Sequence, residues 1–343
     1  MDINKEYLKE LSYISKITGQ DERLVQAGGG NTSVKIDDHL MAVKASGYQL
    51  TDVTEEQGYS IVDYKSICDS FETGKYDASD EASVLASSLG DGKRPSIETF
   101  LHSFTKKYTI HSHPLGVTMV AVRDDWDEIF KGLFPDAVYV DYSTPGIKLA
   151  GLFYDALRHE SSDIVFLKNH GLVISADTAE DAVNLQQRVV DTVDSYLGLD
   201  VKAFDTGYEL FKAVNRIDPS AIVYRVESPV VEQAYKKAGG VWDHAYSPDC
   251  VVYCGLKIAK IEGDIGQALT EHKERYGDYK VVLYNGFFFA VAPNIRKAKD
   301  IAGVLEFTAR IYMKEDGESV STLPVKEREL LLGWDSEKYR ASL

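Results

Sequence analysis

Three histidines stand where they could hold one metal ion. Residues 109–113 read as a β-strand closed by Pro114, and His111 and His113 lie two apart on it. Such residues share a face about 7 Å apart at Cα, so their imidazoles could converge on a divalent ion. A His-x-His pair alone is more often a surface or hydrogen-bonded pair. His170, just after another predicted strand, is the third ligand that favours a metal.

Glu98 is the candidate for proton transfer. It precedes His111 at the start of a helix predicted over residues 99–104. A carboxylate there could serve only the helix dipole, or it could lie beside a metal and shuttle a proton. The residues alone leave both interpretations open. His102, one turn further along this helix, is either a partner of Glu98 or simply packed.

A glycine-rich segment at residues 27–33, AGGGNTS, is predicted to form a loop. Its backbone N–H groups, with the side chains of Asn31 and Ser33, could bind a phosphate. It matches neither the P-loop nor the dinucleotide-binding fingerprint, so a turn without a ligand is the alternative. Ser46 and Gly47 follow a predicted strand, and Ser96 precedes the helix of Glu98; these could add further donors.

The composition excludes several classes of partner. Among 343 residues, 38 Lys and Arg stand against 54 Asp and Glu, giving a net charge of −16. This balance argues against nucleic acid and against an anionic membrane surface. No apolar run is long enough to span a bilayer, and no signal peptide is evident, so we expect a cytoplasmic protein. Three cysteines fit reduced thiols, and Cys250 and Cys254 on a predicted strand would be too far apart to bridge.

The apolar spacing predicts an α/β protein in layers. Helices are expected over residues 3–19, 79–89, 99–104, 115–122, 147–159, 179–197 and 295–313. Strands are expected over residues 34–36, 40–44, 109–113, 138–141, 164–167, 172–175, 251–253 and 281–284. Residues 198–220 are interpreted as a transition between two halves.

The second half contains a faint echo of the first. Residues 165–171 end in Asn-His-Gly and lead into a strand and a helix, and residues 282–286 end in Asn-Gly and do the same. A degenerate partial repeat would explain this, with the chemistry kept in the first half. Chance similarity of two strand–helix units is the alternative.

Five short stretches, in order, resemble the class II aldolase/adducin family. They are GGGNTS at 28–33, KASG at 44–47, PSIETFLH at 95–102, HSHP at 111–114 and KNHG at 168–171. Their residue patterns are most similar to those of the aldolase part of bifunctional rhamnulose-1-phosphate aldolase/dehydrogenase proteins. The resemblance implies a three-layer α/β/α domain at residues 1–200, followed by a smaller α/β extension at residues 215–343. No dehydrogenase domain is expected within this sequence.

The resemblance also implies residue roles. His111, His113 and His170 match zinc ligands, with another divalent transition metal as the alternative, and Glu98 matches the catalytic acid/base. The positions that match those holding a substrate phosphate are Asn31, Ser33, Ser46, Gly47 and Ser96. Two departures stand out: fuculose-phosphate aldolases have a second Ser where Ile97 stands, and their catalytic tyrosine cannot be placed among 21 tyrosines. Lys35 and Lys44 are further candidates for the phosphate.

The implied activity is cleavage of a ketose 1-phosphate, such as rhamnulose or fuculose 1-phosphate, to dihydroxyacetone phosphate and lactaldehyde. A homo-oligomer that binds a small phosphorylated sugar is expected. The alternatives are another metal-dependent reaction of the superfamily, namely 4-epimerisation, dehydration or decarboxylation, or a non-catalytic adducin-like binding protein. The three retained histidines argue against the last.

Overall fold

The computed structural model of the chain describes residues 5–75, 93–240, 242–314 and 321–333. The helix predicted over residues 79–89 lies outside these ranges. The chain divides into two compact units, Met1–Val201 and Lys202–Leu343. Among the described residues, no helix has the length and apolar character needed to cross a membrane.

The first unit is built on one mixed sheet. Its strands are β1 (Asn31–Lys35), β2 (Leu40–Lys44), β3 (Tyr59–Asp63), β4 (Tyr108–Ser112), β5 (Val138–Val140), β6 (Ile164–Leu167) and β7 (Gly171–Ala176). They lie in the order β3-β2-β1-β4-β7-β6-β5, and every pair is antiparallel except β5 and β6. Strand β4 therefore lies at the centre of the sheet, between β1 and β7.

Helices cover both faces of this sheet. They are α1 (Lys5–Gly19), α2 (Tyr64–Glu72), α3 (Thr99–Ser103), α4 (Leu115–Ala121), α5 (Trp126–Leu133), α6 (Ile147–His159) and α7 (Ala179–Leu197). Alternation along β6 separates two cores: Val165 and Leu167 pack with α2, α3 and α6, whereas Phe166 packs with α4, α5 and α7. The predicted three-layer α/β/α architecture is confirmed.

The second unit has a smaller sheet with strand order β8-β11-β10-β9. Its strands are β8 (Ile222–Arg225), β9 (Ala259–Lys260), β10 (Val281–Tyr284) and β11 (Phe287–Ala292). Its helices are α8 (Lys202–Ile217), α9 (Pro229–Lys237), α10 (Pro248–Cys254), α11 (Ile265–Tyr276), α12 (Ile295–Lys314) and α13 (Val325–Gly333). The predicted smaller α/β region is confirmed.

Two predictions for the second unit are wrong. Residues 251–253 were expected in a strand but lie in helix α10, because Pro248 in the first turn and Asp249 behind it form a helix start that outweighs two adjacent valines. Cys250 and Cys254 are therefore neighbours one turn apart, both buried and both free thiols. Residues 202–217, expected in a transition, form helix α8, whose apolar side buries Leu210, Phe211 and Val214.

The loop predicted over residues 27–33 is also too long. Strand β1 begins at Asn31, so Asn31 and Ser33 pair with β4 opposite His111 and Thr109. The chain turns before them, at Ala27 and the three glycines, and Gly30 has φ +71°, a conformation that glycine adopts without steric cost. Fewer backbone N–H groups are therefore available to a ligand than the sequence suggested, because the strand ladder engages the others.

Candidate active site

The imidazoles of His111, His113 and His170 meet at one end of the first unit's sheet. One ring nitrogen from each lies within 4.8 Å of the others. The ring centroids are 4.8 Å apart for His111 and His113, 4.9 Å for His111 and His170, and 5.2 Å for His113 and His170. His111 is fully buried and the other two are half-buried. This convergence is what a shared divalent ion requires.

Each histidine is placed by a different device. His111 lies within β4, and the sheet register puts it between Asn31 of β1 and Val173 of β7. His113 lies beyond the end of β4, where its N–H donates to the Leu24 carbonyl over 2.8 Å. His170 occupies the β6–β7 turn, which Asn169 opens in the left-handed conformation at φ +54°.

Gly171 lets the turn approach the end of β4. A Cβ at this position would lie 2.4 Å from the Ser112 carbonyl oxygen and 2.9 Å from Cδ2 of His113. Backbone cannot yield to such a contact, so any larger residue would separate His170 from the other two rings. Gly29 is similar, since its Cβ would lie 3.0 Å from Nδ1 of His113.

The donor set fits a divalent metal ion. Nδ1 of His111 lies 3.0 Å from the Leu172 carbonyl oxygen, to which it can only donate. The proton on Nδ1 is thereby fixed, so Nε2, which faces the other rings and Glu98, is the nitrogen that would bind an ion. Metal-bound histidines are commonly oriented in this way. Nε2 of His113 lies 3.0 Å from Nε2 of His111, so at most one of these two nitrogens can carry a hydrogen in that contact.

Glu98 reaches two of the three imidazoles. It stands at the N-cap of α3 and is 7% exposed. Its Oε1 lies 2.9 Å from Nε2 of His170, and its Oε2 lies 3.3 Å from Nε2 of His111. Burial raises the pKa of the Glu98 carboxyl. The charges and hydrogen bonds of His111 and His170 lower it by more, so the net pKa lies well below the usual range of a carboxyl. Glu98 is therefore an ionised carboxylate beside the candidate metal site.

The histidines differ in how Glu98 affects them. Burial lowers the pKa of His111, but the nearby Glu98 carboxylate opposes this and the pKa is raised overall. Burial lowers the pKa of His113 to about 3, with His111 and His170 adding to the effect. The site thus combines the neutral imidazole of His113 with the Glu98 carboxylate, whose charge a cation would stabilise.

Asn31 holds the second oxygen of Glu98. Its amide nitrogen Nδ2 donates to Oε2 of Glu98 over 2.7 Å and also contacts the Ser96 hydroxyl at 3.2 Å. Its Oδ1 accepts from Nε2 of His102. Burial lowers the pKa of His102 to about 3, so its ring is neutral and Nδ1 accepts from the Ser33 hydroxyl at 2.7 Å. Ser33, His102, Asn31 and Glu98 thus form one directed chain of hydrogen bonds.

The predicted phosphate residues fall into two groups. An isolated bridge between Ala45 and Pro95 brings Ser96 beside Ser46 and Gly47, and the Ser96 N–H donates to the Lys44 carbonyl over 3.1 Å. Ser96 in turn contacts Asn31, so Ser46, Gly47, Ser96 and Asn31 occupy adjoining segments. Ser33 is separate, because it is 1% exposed and its hydroxyl bonds to His102.

Arg23 and Asp194 have a structural role that sequence reasoning missed. Both are 1% exposed, and the Arg23 carbonyl accepts from the Leu115 N–H over 2.8 Å beside the segment that carries His113. The Arg23 guanidinium donates to the Asp194 carboxylate. Because the two residues are far apart in the chain and form no motif, only the fold reveals this pair. The Leu172 carbonyl was missed for a related reason, since a backbone acceptor leaves no signal in the residue type.

The family model of the class II aldolase and adducin N-terminal domain matches residues 9–197. The chain belongs to this family. The matched range contains every element that positions the three histidines and Glu98. Family and histidine cluster together support an enzyme of the class II aldolase superfamily with a candidate metal site.

Individual relatives are distant. The chain is 26% identical over 203 residues to the uncharacterized oxidoreductase YuxG of Bacillus subtilis (strain 168), covering 55% of this chain but only 29% of that protein. It is 25% identical to the N-terminal class II aldolase domain of a conserved protein from Thermoplasma acidophilum, covering 57% of this chain and 94% of that one at a TM-score of 0.50. An L-fuculose-1-phosphate aldolase from Thermus thermophilus is 15% identical, covering 57% and 95% respectively at a TM-score of 0.40.

Proposed function

We propose that this class II aldolase family member is a zinc-dependent lyase. It would cleave a deoxyketose 1-phosphate, such as rhamnulose or fuculose 1-phosphate, to dihydroxyacetone phosphate and lactaldehyde. The observation that carries the proposal is the Glu98 carboxylate within hydrogen-bond distance of His111 and His170, at a point where three imidazoles converge.

His111, His113 and His170 would hold the metal. Three neutral imidazoles leave a zinc ion its full charge and an open coordination position. When bound, the ion would supply Lewis-acid polarisation of the ketose carbonyl and stabilise the negative charge that develops as C3–C4 breaks. Another divalent transition metal with a preference for imidazole would fit the same donor set.

Glu98 would move the proton. In the cleavage of C3–C4, the C4 hydroxyl loses a proton as C4 becomes the aldehyde, and C3 of the ketone fragment gains one. An ionised carboxylate beside the metal site would take up the first proton and return a proton to C3. Asn31 and His102 hold this carboxylate at a fixed orientation, so little reorganisation accompanies the transfer.

The phosphate would be held locally, since a net charge of −16 repels a dianion at long range. Ser46, Gly47 and Ser96 offer small donors on adjoining segments, and Asn31 lies beside Ser96. Lys44 is 4% exposed and is a cation near them; burial lowers its pKa, and the charges of Glu98 and Asp52 oppose that change.

The test is a screen of metal-dependent product release. The zinc-loaded chain should release dihydroxyacetone phosphate and an aldehyde from one of the two ketose 1-phosphates, and should release neither dihydroxyacetone nor an aldehyde from the unphosphorylated sugars. Conversion of the phosphorylated sugar without carbon–carbon cleavage would instead indicate an epimerase or dehydratase of the superfamily. A decarboxylase would be recognised by release of carbon dioxide from a carboxylated sugar phosphate. We also propose a cytoplasmic homo-oligomer; light scattering of the purified chain would test the oligomeric state, and cell fractionation the location.

The metal is tested separately. His111→Ala should lower zinc affinity by more than the 10–100-fold typical of residues that only orient a ligand. His159→Ala, on the exposed last turn of α6, is the matched control and should leave zinc binding unchanged. A chain with no stoichiometric zinc or other transition metal would instead support an adducin-like binding protein.

A further inference from the structure

The second unit repeats the element order of the metal-binding half of the first. The segment α3-β4-α4-α5-β5-α6-β6-β7-α7 corresponds, element for element, to α8-β8-α9-α10-β9-α11-β10-β11-α12. We propose that the second unit is a duplicate of this half in which an arginine–glutamate ion pair has replaced the metal ligands. The comparison rests on the metal centre proposed above.

The strand pairing agrees as well as the order. In the first unit β4, β7, β6 and β5 are neighbours, joined by antiparallel, antiparallel and parallel pairing. In the second unit β8, β11, β10 and β9 are neighbours with the same three pairings in the same sequence. The helices follow, since α7 packs on β4, β7 and α4, and α12 packs on β8, β11 and α9.

Details of the last strand and helix coincide. Strands β7 and β11 both have six residues, and each is followed two residues later by a helix N-cap. Thr178 accepts from the Asp181 N–H at the first cap, and Asn294 accepts from the Lys297 N–H at the second. The preceding turns both place an asparagine in the left-handed conformation, Asn169 at φ +54° and Asn285 at φ +49°.

The register then identifies the counterparts of the histidines. The last residue of β7, Ala176, pairs with Tyr108, and the last residue of β11, Ala292, pairs with Ile222. Counting three residues onward gives His111 in the first unit and Arg225 in the second. Counting five onward gives His113 and Glu227 in the same way.

These counterparts form a different centre. Nη1 of Arg225 lies 2.8 Å from Oε1 of Glu227. The Arg225 guanidinium also lies over the rings of Phe287 and Phe204, 5.4 Å and 5.7 Å from their centroids. Phe287 stands where the first unit requires Gly171, and Phe204 lies on α8, the counterpart of the helix that Glu98 caps. A side-chain cation, one-third exposed, therefore stands at the register position of His111.

The parts that would hold a phosphate have no counterpart. Strands β1 and β2 carry or adjoin Asn31, Ser46 and Gly47, and the four described strands of the second sheet correspond only to β4, β7, β6 and β5. The described residues of the second unit consequently lack both ligand sets, and the chain is expected to hold one metal ion.

The proposal is tested by restoring the site. The β10–β11 turn is one residue shorter, because Tyr284 pairs with Phe287 across two residues whereas Leu167 pairs with Gly171 across three. The variant therefore combines Arg225→His and Glu227→His with replacement of Asn285-Gly286-Phe287 by Lys-Asn-His-Gly. Elemental analysis after equilibrium dialysis against zinc should show one more ion per chain than in the parent. The matched control, with Arg225→Ala in place of Arg225→His, should match the parent.

A folded restored variant with the parent's zinc content would overturn the proposal. The variant that carries only the turn replacement gives a second test, which needs no metal. Its melting temperature should lie within about 4 °C of that of the parent, and a larger decrease would contradict the register. A parent that binds no zinc would contradict the proposed function and, with it, the replacement of metal ligands; the melting temperature of the turn variant would then test the repeat by itself.

Discussion

Arg23 donates from Nη1 to Oδ2 of Asp194 over 3.0 Å, and this buried pair joins the chain before β1 to helix α7. Asp21 adds a second contact, 3.3 Å from Nη2 of Arg23. The backbone on either side of the arginine side chain is engaged too: the carbonyls of Arg23 and Leu24 accept from Leu115 and His113. The pair thus anchors the segment that fixes one of the three histidines.

Arg23→Met should destabilise the first unit strongly. It leaves the buried Asp194 carboxylate without its cation, and breaking a buried pair in this way costs about 3–5 kcal/mol. Urea unfolding of the parent and the variant measures this. Removing both charges with Arg23→Met and Asp194→Leu should cost less than the single change, and an equal or larger cost would contradict the account.

The matched control is Arg123→Met. Arg123 pairs with Asp125 at 2.8 Å, as Arg23 pairs with Asp194, but both partners are half-exposed. Because water screens such a pair, the midpoint of unfolding should hardly move. A similar loss at both arginines would show that burial is not what makes the Arg23 pair important.

Glu98→Gln should keep the fold and the metal but lower turnover by roughly 10²–10⁴-fold, the usual range for a positioned proton-transfer group. The amide has nearly the same shape but cannot take up the proton. Turnover and zinc content are measured on the same preparation. Glu128→Gln, also in the first turn of a helix but exposed, is the control. Near-parental turnover would return Glu98 to the role of a helix-start carboxylate.

His102→Phe should lower turnover by about 10–100-fold while zinc stays bound, the range typical of residues that orient a ligand. The change removes the donor that fixes the Asn31 amide, so Asn31 no longer holds Glu98 in one orientation. His102→Gln retains a donor and an acceptor and should recover part of the loss. His244→Phe, equally buried but in the second unit, should leave turnover unchanged. Equal losses in the phenylalanine and glutamine variants would indicate that His102 only fills space.

His102 should also make the fold sensitive to acid. Burial lowers its pKa to about 3, whereas an unfolded histidine titrates near 6.5. The unfolded chain therefore binds an extra proton as the pH falls below about 6.5, and the folded chain does so only near 3. The contribution is complete above about pH 6.5 and is lost between there and about pH 3, at about 1.4 kcal/mol per pH unit.

The measurement is the free energy of unfolding of the zinc-free parent and of His102→Phe at about pH 7.5 and about pH 5. On acidification, the free energy of unfolding should fall more for the parent than for the variant. The difference should correspond to the uptake of about one proton by the unfolded chain. Parallel curves would show that His102 is protonated in the folded chain over this range.

Regular elements followed from the sequence where apolar spacing and end signals agreed. Helices over residues 147–159 and 179–197 and the strand over residues 164–167 were predicted with the bounds found. The prediction failed where signals conflicted. Val251 and Val252 favour a strand, but the helix start at Pro248 and Asp249 outweighs them. The prediction for residues 198–220 failed differently: Gly198 and Pro219 are break signals at the two ends of this segment, but the apolar spacing between them forms helix α8.

The candidate site was predictable in its members but not in its connections. Residue types and strand spacing named His111, His113 and His170. The carboxylate could be named, yet its link to Asn31 depends on how β1 aligns with β4, and register is a property of two distant segments. The hydrogen bond of Ser33 to His102 is another such connection, because it depends on the place of Ser33 on β1; its role as a phosphate donor stays a prediction.

The three cysteines of the chain differ in their access to reagents, because helix α10 buries Cys250 and Cys254 in the second unit. Cys68 of the first unit is half-buried, whereas both cysteines of α10 are fully buried, and burial raises the pKa of Cys254 far above its ordinary value. Alkylating reagents attack the thiolate and need access to it, so in the folded chain they reach Cys68 first. Modification of Cys250 and Cys254 accordingly requires transient opening of the second unit. The rate of their modification therefore measures local unfolding of the second unit separately from that of the first.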